Sequence, residues 1–256
     1  TPGWQNVIGT PGFNGQVNAL AVTPGGDLIA AGSFTTAGGV AANSIARWNG
    51  TSWAPLGTGL SGQAYALTVR PNGEVVVGGD FISAGGVQAF FIARWNGSAW
   101  QPVGGGMDDA VTSLTTLAGG DVVAGGFFYT AGGADCFSIA RWNGSTWAPV
   151  GGGLDGPVFA LTQRSNGNLA VGGGFLTAGA TPVSYVAEWD GSSWIGMSGG
   201  TDDTVFSLAN LPNGDLVAGG YFQLAGGEVT PSVAKWNGAA WSGLGTGMLG
   251  GFTNVN

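Results

Sequence analysis

The sequence predicts an all-β fold assembled from five copies of one short unit. The 256 residues include 53 glycines, and charged residues make up only 8% of the chain, a composition typical of short strands joined by tight turns. A period of about 20 to 50 residues indicates a repeat architecture. Here the phrase IARWNGTSW returns with small changes every 47 residues, and its first tryptophan falls at Trp48, Trp95, Trp142, Trp189 and Trp236.

Each unit carries four extended segments separated by turn residues. In the first segment Val17, Ala19 and Ala21 fall on one side, with Leu20 and Val22 on the other. Pro-Gly-Gly-Asp and Asn-Gly sequences between segments favour two-residue hairpin turns with positive backbone angles. We therefore expect a four-stranded antiparallel meander, whose segments in the first unit run approximately from Val17 to Val22, Leu28 to Gly32, Ser44 to Trp48 and Ser52 to Leu56.

One such meander cannot cover its own apolar side chains. Residues such as Leu20, Val22, Ile29, Ile45 and Trp48 need neighbouring units to bury them. Radial repetition around an axis provides those neighbours, so the sequence predicts a five-bladed β-propeller with tryptophans packed between the blades. Helical solenoids fit less well because a 3.6-residue periodicity is absent, and hexapeptide β-helices have much shorter periods.

The whole chain, 1–256, is expected to be a single propeller domain. Its repeats lie approximately at 17–63, 64–110, 111–157, 158–204 and 205–251, with closure segments at 1–16 and 252–256. Trp4 to Ile8 resembles another copy of the fourth segment, so we expect it to add to, or compete for, the outer edge of the fifth blade, with GGFTNVN alongside. The start at TPGWQ leads us to expect a processed, excised or engineered chain.

Charge argues against two classes of partner. The net charge is −8 and the chain contains no basic stripe, so nucleic acid and membrane surfaces are not expected as partners. No apolar run approaches the roughly 18 to 20 residues of a membrane-spanning helix, so membrane insertion is not expected. Cys136 stands where other repeats carry Ala42, Ala89, Val183 and Thr230, which favours core packing over a reactive thiol.

At the spacing GG…FxxAGG…ARWNGxxW the chain resembles kelch-type propellers. It is more similar to the repeats of the fungal cortical cell-polarity marker family and to related repeats of secreted bacterial proteins. The resemblance covers essentially the whole chain and implies the fold. Kelch-like propellers include a copper oxidase whose site uses histidines and a thioether-linked tyrosine, an activity excluded here because the chain has no histidine and only Cys136. The architecture is also similar to five-bladed tachylectin-type lectins, although their motifs are not reproduced.

The absence of histidine also removes the common catalytic triads and imidazole metal sites. Carboxylates remain, in the pairs Asp108-Asp109 and Asp202-Asp203 before the third and fifth blades. These aspartates are calcium candidates, but calcium takes about 6 to 8 oxygen ligands, and a solvated turn explains them as well. We expect no catalytic residue and no cofactor.

Two further sets of residues recur at fixed repeat positions. One position of the third segment carries Arg47, Arg94, Arg141, Glu188 and Lys235, so its charge changes sign within the chain. This change favours exposed or groove-edge residues, and local pairing across a blade is the alternative. Asn49, Asn96 and Asn143 match the glycosylation acceptor pattern, but their first use is in turns.

Variation among the repeats concentrates on one predicted face. One position reads Ser33, Asp80, Phe127, Gly174 and Tyr221, and a second reads Asn18, Tyr65, Thr112, Phe159 and Phe206. Mixed aromatic and polar groups are typical of sugar-binding surfaces, and also of ordinary packing. The candidate ligand-binding residues are Asp80, Phe127, Tyr221, Tyr65, Phe159 and Phe206.

These observations favour a non-enzymatic recognition module, extracellular or at the cell surface, that binds carbohydrate or a protein surface through this face. The alternative is a structural protein: a surface, matrix or filament subunit, or an amplified or designed symmetric scaffold that self-associates through its termini. An enzyme that uses only carboxylates is a third hypothesis.

Overall fold

The computed structural model describes residues 12–245 and 247–248, which form five four-stranded antiparallel sheets. The sheets are the blades of a β-propeller, and the predicted all-β fold of five such blades is confirmed. In each blade the strands follow one another outward from the axis, since the first strands of successive blades lie side by side. A separate two-stranded hairpin connects the second and third strands of every four-stranded sheet.

Every blade contributes six strands in chain order, of which the third and fourth form the small hairpin. Blade 1 contains β1 Val17–Val22, β2 Leu28–Gly32, β3 Thr36–Ala37, β4 Val40–Ala41, β5 Ile45–Trp48 and β6 Trp53–Pro55. Blade 2 contains β7 Gln63–Val69, β8 Val75–Asp80, β9 Ser83–Ala84, β10 Val87–Gln88, β11 Ile92–Trp95 and β12 Trp100–Pro102. Blade 3 contains β13 Val111–Thr116, β14 Val122–Gly126, β15 Thr130–Ala131, β16 Ala134–Asp135, β17 Ile139–Trp142 and β18 Trp147–Pro149.

Blades 4 and 5 repeat the pattern. Blade 4 contains β19 Val158–Gln163, β20 Leu169–Gly173, β21 Thr177–Ala178, β22 Thr181–Pro182, β23 Val186–Trp189 and β24 Trp194–Gly196. Blade 5 contains β25 Val205–Asn210, β26 Leu216–Gly220, β27 Leu224–Ala225, β28 Glu228–Val229, β29 Val233–Trp236 and β30 Trp241–Gly243. The four segments predicted for the first unit therefore match β1, β2, β5 and β6 to within a residue or two.

The small hairpins are a feature that the sequence pattern did not predict. In blade 1, β3 and β4 are joined by Gly38 and Gly39, whose φ angles are 58° and 79°. Two successive positive φ angles define the tight turn that matches strand twist, and glycine adopts them without strain. The Ala-Gly-Gly phrase of the repeats was the feature of the sequence from which this turn could have been predicted.

The turns on the opposite face differ from the predicted two-residue type. Between β1 and β2, Thr23 N–H donates to the Asp27 carbonyl at 2.8 Å, and Gly26 N–H donates to the Thr23 carbonyl at 2.9 Å. Gly26 has a φ of 88°, while Gly25 is not in the positive region. This is a three-residue hairpin loop with a glycine bulge. It needs one left-handed residue, where the predicted turn would need two.

The Asn-Gly turns are also longer than predicted. Trp48 pairs with Trp53, so four residues form the loop between β5 and β6. The Asn49 side-chain oxygen accepts hydrogen bonds from the backbone N–H groups of Thr51 at 3.0 Å and Ser52 at 2.9 Å. Asn49 thus holds the turn through its side chain, and only Gly50, with a φ of 95°, is left-handed.

The apolar core lies between adjacent blades. Ile29 and Ile45 of blade 1 pack in one cluster with Val75, Val77 and Trp100 of blade 2. Equivalent clusters join blades 2 and 3, 3 and 4, and 4 and 5. Neighbouring units do bury one another, which is the reason that the sequence needs repetition.

The paired tryptophans explain the repeated phrase IARWNGxxW. Trp100 donates its indole N–H across the junction to the Leu56 carbonyl of blade 1 at 2.8 Å. Trp95 packs on Trp100 with ring centroids 5.5 Å apart, and both rings lie against Gly57 of blade 1, where a Cβ would approach them to 3.2 and 3.3 Å. The same indole bond closes the next three junctions, from Trp147 to Val103, Trp194 to Gly151 and Trp241 to Met197.

A β-bulge in each inner strand corrects the predicted alternation. In β13 the register shifts between Val111 and Ser113, so that Thr112 is an extra residue. Val111 and Leu114 consequently share one face, where a Cβ on Gly78 of blade 2 would clash with Val111 and come within 3.3 Å of Leu114. The assignment of Val17 and Leu20 to opposite sides of the first strand was therefore wrong.

Among the described residues, blade 1 has no neighbouring blade that covers this face of its inner strand. Leu20 is 59% exposed and Val22 64%, whereas Leu114, the counterpart of Leu20, is 8% exposed. The cluster under blade 1 contains no described residue of blade 5, and the close contact of inner strands seen at the four other junctions is not repeated between β25 and β1. The closure predicted for Trp4 to Ile8 and GGFTNVN lies outside the described residues.

Cys136 is fully buried in the cluster between blades 2 and 3, as its repeat position predicted. Burial raises the pKa of its thiol, so the reactive thiolate is disfavoured. No helix suited to crossing a membrane occurs in the part of the chain that the structure describes.

Candidate binding site on the loop face

The propeller has two different ends. One end carries the small hairpins and the blade-to-blade connections, and we call it the loop face. The other carries the glycine-bulge loops and the Asn-Gly turns, and we call it the turn face. On the loop face each connection pairs with the following hairpin, as Leu60 does with Ala84. This pairing fixes the loops around the axis.

The β-bulges place one side chain from every blade at the axis. The extra residue of each bulged inner strand lines a cavity of about 410 Å³ whose remaining wall is Gln16 and Val17. Bulges characteristically redirect a side chain in this way. The five bulge residues are Asn18, Tyr65, Thr112, Phe159 and Phe206.

Aromatic rings form a continuous arc along one side of the cavity. Phe127 meets Phe159 with centroids 5.6 Å apart, Phe159 meets Phe206 at 5.2 Å, and Phe206 meets Tyr221 at 4.7 Å. Phe127 and Tyr221 at the ends of the arc are 45% and 43% exposed, while Phe159 and Phe206 are half-buried. The arc runs across blades 3, 4 and 5 and presents ring faces and edges to the opening.

The other side of the cavity is polar. Asn18 donates from Nδ2 to the Ala64 carbonyl at 2.8 Å, which links blades 1 and 2 and leaves its side-chain oxygen as an acceptor. Burial raises the pKa of Tyr65, and the nearby Asp80 carboxylate raises it further. Tyr65 therefore keeps its proton at neutral pH and remains a hydrogen-bond donor. Asp80 is exposed at the end of β8.

All six residues predicted as ligand-binding lie on the loop face, in two groups. Phe127, Phe159, Phe206 and Tyr221 form the arc, and Tyr65 and Asp80 lie together across from it. The prediction omitted Asn18 and Thr112, although both line the cavity. Asn18 and Thr112 stand at the same repeat position as Tyr65, and this was the signal in the sequence that could have identified them.

The calcium candidates have structural roles. Asp108 accepts hydrogen bonds from the backbone N–H groups of Tyr129 and Thr130, both at 2.9 Å, and Asp202 does the same for its own hairpin. Asp109 and Asp203 accept from the N–H of the residue that follows each. No three acidic or cysteine side chains are grouped for a metal within residues 12–245 and 247–248. Asn14, Ser61 and Asp155 hold the remaining hairpins in the manner of Asp108.

A band of exposed apolar residues lies on the loop face beside the small hairpins of blades 2, 3 and 4, outside the lining of the cavity. Ile82 is 60% exposed, Tyr129 68% and Leu176 51%, all at one repeat position beside the small hairpins. Phe137 is 44% exposed and meets the Tyr129 ring edge-on at 6.4 Å. Exposed apolar groups that contact one another, as Tyr129 and Phe137 do, mark contact surfaces more often than isolated ones do.

The fold places the chain among β-propellers built from short repeats. A family model described as "Domain of unknown function (DUF5122) beta-propeller" matches residues 70–97, which run from the glycine-bulge loop to the Asn-Gly turn of blade 2. No curated protein matches the chain.

Solved structures match over most of the chain at low identity. Virginiamycin B lyase from Staphylococcus aureus is 10% identical, with a TM-score of 0.52, over 88% of this chain and 69% of that one. A streptogramin B lyase is 13% identical, with a TM-score of 0.51, over 87% of this chain and 66% of that one. The chain thus spans about two thirds of these structures, and the similarity is one of fold.

Proposed function

We propose that this propeller is a non-enzymatic recognition module that binds carbohydrate in the axial cavity of the loop face. The observation that carries the proposal is the cavity itself, an opening of about 410 Å³ with an aromatic arc on one side and Asn18, Thr112 and Tyr65 on the other. Sugar rings stack their C–H faces on aromatic side chains while short polar groups bind the hydroxyls. Both kinds of group converge on this cavity from all five blades.

The non-enzymatic part of the proposal is supported by the side-chain inventory. The sequence contains no histidine, the usual proton-transfer group near neutral pH. A similar solved structure is a catalytically inactive histidine-to-alanine variant of virginiamycin B lyase, so the chemistry of that neighbour depends on a residue type that this chain lacks.

A glycan array tests the proposal. We expect the wild-type chain to bind a subset of glycans, and Asp80→Ala and Tyr221→Ala to lose that binding. A turn-face variant such as Thr51→Ala should keep it, because Thr51 lies at the other end of the propeller. Absence of binding to any glycan, together with end-to-end self-association of the purified chain, would instead support the structural alternative.

A protein surface is the second candidate ligand. It is favoured by the apolar band that contains Ile82, Tyr129 and Leu176, since such side chains supply the buried centre of protein interfaces. The two candidates are separable because the band lies outside the cavity. Ile82→Ser with Leu176→Ser would abolish a protein contact and leave glycan binding intact, whereas Phe206→Ala would do the reverse. Either ligand fits our proposal that the module works outside the cell or at its surface.

A further inference from the structure

A hollow of about 280 Å³ opens on the turn face between blades 1 and 2, away from the loop face. Its lining includes Thr23, Asp27 and Arg47 of blade 1 and Gly73 and Trp95 of blade 2. The chain repeats itself every 47 residues, so the other junctions show what normally occupies this place.

Between blades 2 and 3 the place is filled by an arginine. The guanidinium of Arg70 lies 5.0 Å from the centroid of the Trp142 ring. It donates from Nε to the Gly120 carbonyl at 3.1 Å and pairs with Glu74 at 2.6 Å. An aromatic face, a carbonyl and a carboxylate thus hold one guanidinium, a combination that suits this flat and permanently charged group.

The next two junctions are filled as well. Between blades 4 and 5, Arg164 takes the position of Arg70 and donates from Nη2 to the Gly214 carbonyl at 3.0 Å. Between blades 3 and 4, Leu117 takes it and packs in the same cluster as Trp189. Only at Thr23, in blade 1, is the side chain of these four residues too short to fill the space.

The groups that hold Arg70 all have counterparts around the open hollow. Trp95, Gly73 and Asp27 are the repeat equivalents of Trp142, Gly120 and Glu74, and all three line it. Arg47 pairs with Asp27 at 2.6 Å, but blade 2 shows that the acid at this position can pair with two guanidinium groups. The Arg47 counterpart Arg94 shares Glu74 with Arg70, and the Arg94 guanidinium also lies over Trp142 at 5.4 Å.

We propose that the hollow between blades 1 and 2 binds a guanidinium group supplied from outside the chain. The sources of that group are an arginine side chain of a polypeptide and a small guanidinium compound. A second hollow of about 200 Å³ shares Arg47, Leu56, Trp95 and Gly97, which leaves space for the backbone that bears an arginine. The net charge of −8 favours the approach of a cationic partner to the protein. This site is independent of the loop face.

Titration with N-acetyl-arginine amide, followed by the NMR signal of the Trp95 indole N–H, tests the proposal. We expect a saturable shift, with N-acetyl-lysine amide at least tenfold weaker because an ammonium cannot stack and bond in the same plane. Asp27→Asn should weaken the arginine probe at least tenfold, as loss of a charge-assisted hydrogen bond does. A Gly-Gly-Arg-Gly-Gly peptide that binds more tightly than the amide identifies a polypeptide source, and equal affinity identifies a small molecule.

The chain offers its own competitor as a control. Thr23→Arg recreates the arrangement around Arg70, so it should fill the hollow and abolish the shift. Gly119→Arg adds the same charge to another blade on the turn face, where a side chain meets open space, and should leave binding unchanged. The proposal is overturned if neither probe gives a saturable shift with the wild-type chain, or if Thr23→Arg binds the probe as the wild type does.

Discussion

Arg164 and Glu188 form a buried ion pair in blade 4, with each side chain only 8% exposed. In the other blades the signs are arranged differently, since a cation on the third strand of the four-stranded sheet pairs with an acid in the glycine-bulge loop, as Arg47 on β5 does with Asp27. In blade 4 the residue at the position of Arg47 is the acid Glu188, and the residue at the position of Asp27 is Asn168. Arg164 supplies the positive charge. The sequence-based expectation of an exposed or groove-edge residue was therefore wrong for Glu188, whereas local pairing within a blade is correct.

Exchange of these charges tests whether Arg164 in blade 4 compensates for the reversed charge of Glu188. Glu188→Arg alone should place two guanidinium groups together in a buried site and destabilise the protein by about 3 to 5 kcal/mol, the cost of breaking a buried pair. Adding Asn168→Glu reproduces the arrangement of Arg70, Glu74 and Arg94 in blade 2 and should restore most of the stability. Chemical denaturation of the wild type, both single variants and the double variant measures the coupling. Additive effects of the two substitutions would contradict the compensation.

The Asn-Gly turns depend on one left-handed glycine each. Gly97 has a φ of 98° and open space around it, so Gly97→Val should be destabilising through backbone strain alone, by about 1 to 3 kcal/mol. Gly119 also has open space but is not in the positive-φ region, so Gly119→Val is the matched control and should cost much less. Thermal unfolding of both variants compares the two effects. Equal unfolding midpoints would show that backbone strain at Gly97 does not cause the loss of stability.

Leu114 and Leu20 hold the same repeat position in an inner strand but differ in how far the described residues cover them. Leu114 is 8% exposed and packs on blade 2, so Leu114→Ala should cost about 2 to 5 kcal/mol. Leu20 holds the same repeat position but is 59% exposed, and Leu20→Ala should change stability by only about 0.5 kcal/mol. Urea unfolding of the pair measures the contrast. A large loss at Leu20 would mean that its side chain is covered in solution.

Asp190 makes the turn of blade 4 sensitive to acid. Backbone N–H groups of Ser193 and Ser192 bind its carboxylate and lower its pKa to about 2, below the usual aspartate value. Because the folded pKa is lower than the unfolded one, the stabilisation is present above pH 4 and is lost as the pH falls towards 2. Asp190→Asn keeps the acceptor that Asn49 and Asn143 provide in other blades, so its unfolding midpoint should fall less between pH 5 and pH 2 than that of the wild type. Parallel acid sensitivity of the two proteins would count against this role for Asp190.

The period of the sequence was sufficient to predict the four strands of each sheet and the blades, because glycine-rich turns and recurring apolar residues mark each strand of three residues or more. The small hairpins were missed because strands of two residues carry no alternation. The bulge was also missed, although the three-residue spacing of Val111 and Leu114 was visible and is incompatible with an unbroken strand on one face.

The candidate site was located by divergence among the repeats, since residues that hold blades together, such as Trp100, cannot vary. Comparison of one repeat position at a time could not explain Glu188, because its partner Arg164 lies at a different position of the same blade. The hollow at Thr23 was invisible for the same reason. The hollow depends on the side chain that each blade places over a tryptophan of the next blade, such as Thr23 beside Trp95 or Arg70 over Trp142.

Recognition at the axial cavity is the central claim, and a binding footprint tests it most directly. The measurement is the set of backbone amide shifts caused by the strongest glycan from the array, compared between the wild type and Phe206→Ala. We predict that the shifts cluster around Asn18, Tyr65, Thr112, Phe159 and Phe206, the five bulge residues, and that they disappear in the variant. Shifts confined to the turn face, or an unchanged footprint in Phe206→Ala, would contradict the claim.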